Sequence, residues 1–87
     1  MNSTSVPCPV RLFGQQARLA GIRAIEVGVS PGVTTCRDVL DRLVEIAPAL
    51  APSMPASVLA VNHEVAPATR TLRGDEELAL IGLVGGG

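Results

Sequence analysis

The segment from residue 35 to residue 47 reads TCRDVLDRLVEIA, and its apolar residues recur every three or four positions. That spacing places them on one side of an amphipathic α-helix, and they are Cys36, Val39, Leu40, Leu43, Val44 and Ala47. Thr35 can cap the helix, with Asp38 three residues later as a weaker version of the capping box, and Pro48 ends it. Because one broad apolar stripe needs one sheet face to cover, the segment predicts a helix packed on a sheet.

Two strands are predicted before this helix. Residues 10–13 form a β-favouring run closed by Gly14, and in residues 25–29 apolar side chains alternate with Glu26 and Gly28. The residues between them, 15–21, are interpreted as a connection. We expect residues 1–7 to be frayed.

Two further strands are predicted after the helix, at residues 58–61 and 78–81. A turn at residues 62–64 follows the first of them, and Asn62 tolerates the left-handed conformation that a turn requires. The order is ββαββ, and the first and last strands can lie side by side at the centre of the sheet. The prediction is an α+β fold with a mixed sheet packed on one main helix, in a single domain spanning residues 1–87.

The composition argues against several classes of partner. Seven arginines are scattered singly, and with eight acidic residues they give a net charge of -1, so we expect no basic stripe that would bind nucleic acid. No apolar run approaches the roughly 18 residues that would span a membrane. The N-terminus also lacks the features of a signal peptide, and we therefore expect a cytoplasmic protein.

Few side chains are candidates for chemistry. Cys8 and Cys36 are too few and too far apart for a metal knuckle or a Cys-x-x-Cys pair, and no metal site is predicted. We expect both to be buried thiols, although Cys36 falls in the first turn of the helix, where the helix dipole would lower the pKa of a thiol. His63 is interpreted as a solvated turn residue, and residues 75–77 as an acidic turn.

The last six residues are Gly82-Leu83-Val84-Gly85-Gly86-Gly87. Glycine weakens strands and loses the most entropy on ordering, so we expect residues 82–87 to form a flexible tail. Six extended residues reach roughly 20 Å, and glycines let such an arm enter a narrow channel and present the carboxylate of Gly87 to another protein. A free carboxylate is a poor acyl donor, and the tail therefore predicts an ATP-using partner that converts it to an acyl-adenylate.

Several blocks of the sequence resemble the MoaD/ThiS family of sulfur carriers, whose fold is a ubiquitin-like β-grasp. The blocks are Val10-Arg11-Leu12-Phe13-Gly14 with Leu19-Ala20-Gly21, Ala47-Pro48-Ala49-Leu50, Ala60-Val61-Asn62-His63-Glu64, Leu72-x-Gly74-Asp75-Glu76, Leu78-Ala79-Leu80-Ile81 and Gly86-Gly87. The third and fourth blocks look most like the small subunit of molybdopterin synthase.

The resemblance implies a mechanism centred on Gly87, with Gly86 beside it. An E1-like adenylyltransferase would adenylate the Gly87 carboxylate, and a sulfur donor would convert it to a thiocarboxylate. The catalytic large subunit of molybdopterin synthase would then use the sulfur to build the dithiolene of molybdopterin, in a heterotetramer. The tail from Gly82 to Gly85 would bind these partners, with Leu83 and Val84 as its anchor. The chain would bind no cofactor and would not be an enzyme, because ATP and the sulfur donor act through the partner.

Four other interpretations remain open. The same chemistry would serve thiamine, cysteine or a thiolated natural product. The chain would otherwise be a ubiquitin-like modifier that forms isopeptides, although it has no lysine on which chains of itself would be built. It would otherwise be an interaction module with an inert tail, or a redox protein using Cys8 and Cys36. For the carrier, we expect partners to contact the sheet end near Leu83 and Val84 and the exposed face of the central strands.

Overall fold

The computed structural model describes residues 5–82, which form five strands, two α-helices and one 3-10 helix. In chain order these are β1 (Val6–Leu12), α1 (Gly14–Ala20), β2 (Ala24–Val29), α2 (Cys36–Ile46), the 3-10 helix (Pro48–Ala56), β3 (Ser57–Val61), β4 (Glu64–Val65) and β5 (Leu78–Gly82). The predicted strands and the predicted helix are all present. Helix α1 and strand β4 are additional to the ββαββ order.

The five strands form one mixed sheet in the order β2-β1-β5-β3-β4. Strand β5 lies in the centre, parallel to β1, with Val10 opposite Leu78 and Leu12 opposite Leu80. On its other side it is antiparallel to β3. The prediction that the first and last strands are neighbours is therefore confirmed, and the arrangement is that of an α+β β-grasp fold.

Helix α2 begins with the predicted cap in its full form. The hydroxyl of Thr35 accepts a hydrogen bond from the backbone N–H of Asp38 (3.2 Å), and the Asp38 carboxylate accepts one from the backbone N–H of Thr35 (3.0 Å). The backbone hydrogen bond from Thr35 lowers the pKa of Asp38, because it favours the charged carboxylate. The helix ends at Ile46, two residues before Pro48.

The core lies between α2 and one face of the sheet. From the predicted stripe, Cys36, Val39 and Leu43 are fully buried, while Leu40 and Ala47 pack at the edge of the core. The sheet contributes the alternate, inward-facing residues of its strands. These are Val10, Leu12, Ile25, Val27, Val29, Leu59, Val61, Leu78 and Leu80. Helix α2 thus packs on this face together with the 3-10 helix, which adds the fully buried Leu50, and it leaves the opposite face of the sheet uncovered.

The predicted frayed segment, residues 1–7, was wrong at its end, because Val6 and Pro7 lie in β1 opposite Val29 and Gly28. Proline is tolerated here because of the direction of its nitrogen. Leu12 donates its N–H towards β2, so the nitrogens of Pro7 and Pro9 point to the other side of β1. On that side β5 pairs only with residues 10–12 of β1, and no ladder donor is lost at either proline.

The interpretation of residues 15–21 as a connection was also wrong, because most of them form α1. This helix has only seven residues and no side-chain cap at Phe13, and it ends at Gly21 with a positive φ of 75°. Such a short helix is not stable on its own, since the free-energy cost of nucleating it exceeds what its few hydrogen bonds contribute. Its contacts with the 3-10 helix and β5 supply the missing stabilisation.

The capping box of α2 predicts a measurable effect on stability. Thr35→Ala removes the side-chain acceptor for the Asp38 N–H and should lower the free energy of unfolding by roughly 1 kcal/mol. Urea unfolding followed by circular dichroism measures this. The control is Thr69→Ala, an exposed threonine whose side chain makes no hydrogen bond to another residue between 5 and 82. A Thr35→Ala variant as stable as Thr69→Ala would contradict the role of the cap.

Candidate functional site

The predicted tail begins inside the sheet rather than beyond it. Gly82 is the last residue of β5 and pairs with Ser57 of β3, so its assignment to a flexible tail was wrong. The other predicted site residues, Leu83, Val84, Gly85, Gly86 and Gly87, lie outside the described residues, and their roles stay predictions. We call the end of β5 at Gly82 the tail root, because residues 83–87 continue from it.

Gly82 packs directly against a buried glutamine of α1. Along β5 the inward-facing positions are Leu78, Leu80 and then Gly82, so a side chain at position 82 would point towards the helices. The amide of Gln16 occupies that space, and a Cβ atom at position 82 would lie only 2.6 Å from its Nε2. Position 82 therefore takes a glycine because Gln16 fills the volume of a side chain.

A short hydrogen-bond chain holds Gln16 in this place. Its Nε2 donates to the hydroxyl of Ser57 (3.0 Å), and that hydroxyl donates to the backbone carbonyl of Ser53 (2.7 Å). The amide and the hydroxyl are both buried and both have partners, as buried polar groups require. No local pattern in the sequence marks Gln16 as a contact of the tail root, because its hydrogen bond with Ser57 joins residues 41 positions apart and α1 was not predicted.

The face of the sheet opposite α2 carries an apolar depression, and we call the surface that lines this depression the open face. Its residues come from β1, the β3–β4 hairpin, β5 and their flanks: Arg11, Phe13, Ala60, His63, Val65, Glu77, Ala79 and Ile81. Phe13, the single aromatic residue of the chain, is 50% exposed and Val65 is 63% exposed. Such an apolar surface on a small polar-rimmed domain is typical of a protein-binding site, and it lies where partner contact was predicted.

The rim of the open face is ordered by the β3–β4 turn. Asn62 and His63 have positive φ values of 52° and 71°, as the tight turn requires. Asn62 accepts a hydrogen bond from the N–H of Glu77 (2.9 Å) through its side chain, and Nε2 of the exposed His63 lies 3.0 Å from the Glu77 carboxylate. The interpretation of His63 as a solvated turn residue agrees with this position.

In the acidic run before β5, the side chain of Glu76 folds back onto the neighbouring backbone. The Glu76 carboxylate accepts hydrogen bonds from the N–H groups of Arg73 (2.8 Å) and Gly74 (2.9 Å). Burial alone would raise the pKa of Glu76, but these backbone donors outweigh it and the pKa is lowered. Between residues 5 and 82 no three Asp, Glu, His or Cys side chains are grouped closely enough to hold a metal ion.

Both cysteines are free and buried. Burial raises the pKa of the Cys8 thiol, and the acidic residues Glu76 and Asp75 raise it further. Burial also raises the pKa of Cys36, and the opposing charge of Arg70 does not reverse the shift. The expectation that both are buried thiols is confirmed, and the position of Cys36 in the first turn of α2 does not lower its pKa, because desolvation of the thiolate is the larger effect. Neither thiol has the low pKa of a redox-active cysteine.

A model of the ThiS family matches residues 10–87 of this chain. The chain belongs to the ThiS family. Carriers of the MoaD/ThiS type are small ubiquitin-like proteins that are not catalytic themselves, which agrees with the β-grasp fold described above.

No helix between residues 5 and 82 is long and apolar enough to cross a membrane.

Solved structures show the same fold. The small archaeal modifier protein SAMP1 from Haloferax volcanii is 31% identical, with a TM-score of 0.78 over 93% of this chain and 99% of that chain. A putative molybdopterin converting factor subunit 1 from Pyrococcus furiosus is 18% identical, with a TM-score of 0.77 over 92% of this chain and 100% of that chain. SAMP1 from Methanosarcina acetivorans is also 18% identical, with a TM-score of 0.78 over 97% of this chain and 99% of that chain. A comparison with curated protein sequences gives no match.

The contact between Gln16 and Gly82 predicts a coupled pair of substitutions in this ThiS-family protein. Gly82→Ala should lower the free energy of unfolding by roughly 1 kcal/mol, because Gln16 must leave its hydrogen bond with Ser57. In a Gln16→Ala background the same change should cost less, giving an interaction energy of about 0.5 kcal/mol or more in a urea-unfolding double-mutant cycle.

Gly28→Ala is the matched control, since a Cβ there would meet Ser5 at 3.4 Å, an ordinary contact in a strand. Its stability should stay within about 0.5 kcal/mol of the unmodified chain. Equal effects of Gly82→Ala with and without Gln16 would show that the glutamine does not restrict position 82.

Proposed function

We propose that this chain carries sulfur as a thiocarboxylate on Gly87 and delivers it in the biosynthesis of molybdopterin. The observation that supports the carrier chemistry is the family match, which extends through residue 87 and so includes the two terminal glycines of the sequence. The molybdopterin assignment is supported by the Ala60-Val61-Asn62 and Gly74-Asp75-Glu76 blocks, which resemble the small subunit of molybdopterin synthase.

The reaction would take place in the active sites of partners. In an E1-like adenylyltransferase the Gly87 carboxylate attacks the α-phosphate of ATP, which forms an acyl-adenylate and releases pyrophosphate. Sulfur at the sulfide level then displaces AMP from the acyl carbon, and the resulting thiocarboxylate is a softer and stronger nucleophile than the carboxylate. The catalytic large subunit of molybdopterin synthase takes up this sulfur. Leu83 and Val84 anchor the arm in both partners, and Gly85 and Gly86 pass through the narrowest part of the channel that leads to each active site.

The fold supports this arrangement in two ways. The tail root lies on the central strand β5, so an arm that starts there leaves from the middle of the sheet. The open face extends from the same strand, through Ala79 and Ile81, and offers the apolar surface on which a partner would dock. A partner bound to the open face would therefore have the start of residues 83–87 next to its docking surface.

A second candidate function is protein modification. The 31% identity to SAMP1 of Haloferax volcanii supports it, because that protein is named a small archaeal modifier. Both functions begin with activation of the Gly87 carboxylate, and they differ in the attacking group, which is a sulfur donor in one and a lysine amine of another protein in the other. The chain has no lysine and would not be an acceptor for itself through that side chain.

The carrier function predicts a change of mass confined to the C-terminus. Protein isolated from its native host should contain a fraction in which one oxygen is replaced by sulfur, detected by intact-mass spectrometry and located on Gly87 by fragmentation. Adding one residue after Gly87 should abolish this fraction, because the reactive carboxylate moves out of register with the partner's active site. Adding one residue before Met1 is the matched control.

The same preparation distinguishes the modifier function. Arg73 is the last basic residue, so trypsin would leave residues 74–87 attached to each modified lysine of a target protein. Such branched peptides without any thiocarboxylate would favour the modifier over the carrier. Sulfur found on Cys8 or Cys36 instead of Gly87 would contradict the proposal.

The open face predicts a matched pair of surface substitutions. Val65→Asp places a charge in the apolar depression and should weaken binding of the catalytic large subunit roughly tenfold or more. Val33→Asp is the control, because Val33 is similarly exposed, at 71% against 63%, and does not line the depression. Isothermal titration calorimetry with both purified variants measures the difference. Equal affinities would show that the open face is not the docking surface.

A further inference from the structure

Two arginines near the tail root have no partner within the described part of the chain. Arg11 lies on β1 opposite Ala24, and Arg23 immediately precedes β2 and accepts a backbone hydrogen bond from Leu12 (2.8 Å). Both side chains are exposed. Between residues 5 and 82 the only contact within 4.0 Å between a basic side chain and a carboxylate joins His63 and Glu77, and the only arginine side chain that donates a hydrogen bond is that of Arg42. Both guanidinium groups are therefore available to an outside ligand.

The two arginines line one shallow depression, which we call the arginine depression. The rest of its lining is apolar or backbone: Leu12, Phe13, Gly14, Ala17 and Ala24. The half-exposed ring of Phe13 is its largest apolar group. Two positive groups with donors in a planar fork thus share a site with an apolar surface. This combination fits a ligand that carries negative charge and an apolar portion together.

None of the residues that line this depression is acidic. The carboxylates lie beyond its lining: Glu77 lines the open face, which Arg11 borders, and Glu26 is exposed two residues after Ala24 on β2. The chain as a whole has a net charge of -1. The arginines are scattered along the sequence, as the composition indicated, but the fold brings Arg11 and Arg23 to a single site.

The arginine depression also adjoins the tail root. Phe13 and Gly14 line it, and the same two residues line a neighbouring depression whose other wall includes Ile81 and Gly82. A protein that holds residues 83–87 in its active site would therefore have its surface beside Arg11 and Arg23. The site lies to the β2 side of the open face, with Arg11 bordering both.

We infer that the arginine depression binds an acidic segment of the adenylating partner, in which carboxylate side chains flank an apolar one. This inference rests on the proposed function. Guanidinium groups pair with carboxylates through two parallel hydrogen bonds, and the apolar side chain packs on Phe13 and Ala24. A phosphate group would pair with the arginines equally well but would leave the apolar surface uncovered. Complementary charge at this position orients the partner so that the tail root faces its active site.

The first test compares charge reversals in the full chain. Arg11→Glu with Arg23→Glu should weaken binding to the purified E1-like adenylyltransferase of the same organism by roughly tenfold or more. Arg37→Glu with Arg70→Glu is the matched control, with the same change of net charge at two exposed arginines that do not line the depression. Calorimetry should place the control within about threefold of the unmodified chain, since exposed charges contribute little when unpaired.

Salt dependence separates a direct contact from a general charge effect. The dissociation constant of the unmodified chain should rise with NaCl concentration, because screening shortens the range of charge interactions to about 8 Å at physiological ionic strength. The Arg11→Glu, Arg23→Glu variant should lose most of that dependence and the control should keep it. Equal affinities or equal salt dependence of the two variants would overturn the inference.

A second test does not depend on the proposed function. An acidic peptide of sequence Glu-Leu-Asp-Glu, added to isotopically labelled protein, should shift the amide NMR signals of Arg11, Phe13 and Ala24, while its amide analogue Gln-Leu-Asn-Gln should not. Shifts with inorganic pyrophosphate but none with the peptide would assign the site to a phosphate ligand and overturn the inference. A native protein without a thiocarboxylate would instead contradict the proposed function, and the peptide result would still decide the nature of the site.

Discussion

The parallel pairing of β1 with β5 is the contact on which the rest of the structure depends. Parallel neighbours cannot be joined by a tight turn, so the whole of the intervening chain must cross from one to the other. That crossing contains α2, which covers one face of the sheet. Because the two strands run in the same direction, β1 finishes at Leu12 and β5 finishes at Gly82 at the same end of the sheet. Whatever follows β1 is thereby placed beside the tail root.

This placement gives α1 its importance. The seven-residue helix starts directly after Phe13 and inserts the amide of Gln16 under Gly82, where any side chain at position 82 would collide. The last strand is thus held on one side by Ser57 through the sheet and on the inner side by Gln16. Gly82, which has no side chain, thus packs against the fixed amide of Gln16, and residues 83–87 continue from this point.

The distribution of chemistry in the described residues matches a carrier that relies on its partners. Both thiols are buried with raised pKa values, and the acidic turn uses Glu76 to accept backbone hydrogen bonds. What the surface does offer is recognition, in the form of the apolar open face and the arginine depression beside it. The two surfaces share Arg11 and Phe13, so a single partner would contact both at once.

The sequence by itself determined the elements whose signals are local. Helix α2 with its cap, the alternation in β2, the left-handed turn at Asn62 and the central pairing of the first and last strands were all predicted, because each rests on residue spacing or on the length of a connection. The family of the chain was likewise recognisable from short ordered blocks. The helix, the alternation and the turn depend on contacts within a few residues, which a one-dimensional pattern records. The pairing of the first and last strands is long-range, and it was inferred from the position of the helix between the two pairs of strands.

Only the tertiary structure decided how the surroundings of the tail root are built. Helix α1 is too short to nucleate alone and exists because it packs on distant elements, so no local pattern announced it. The extension of β1 to Val6 depends on pairing with Val29, and the contact of Gln16 with Gly82 depends on the packing of α1 against β5. The placement of Arg11 and Arg23 in one depression depends on the register of β1 and β2. Packing and register join residues far apart in the chain, and the charges and volumes that they bring together therefore have no signature in sequence order.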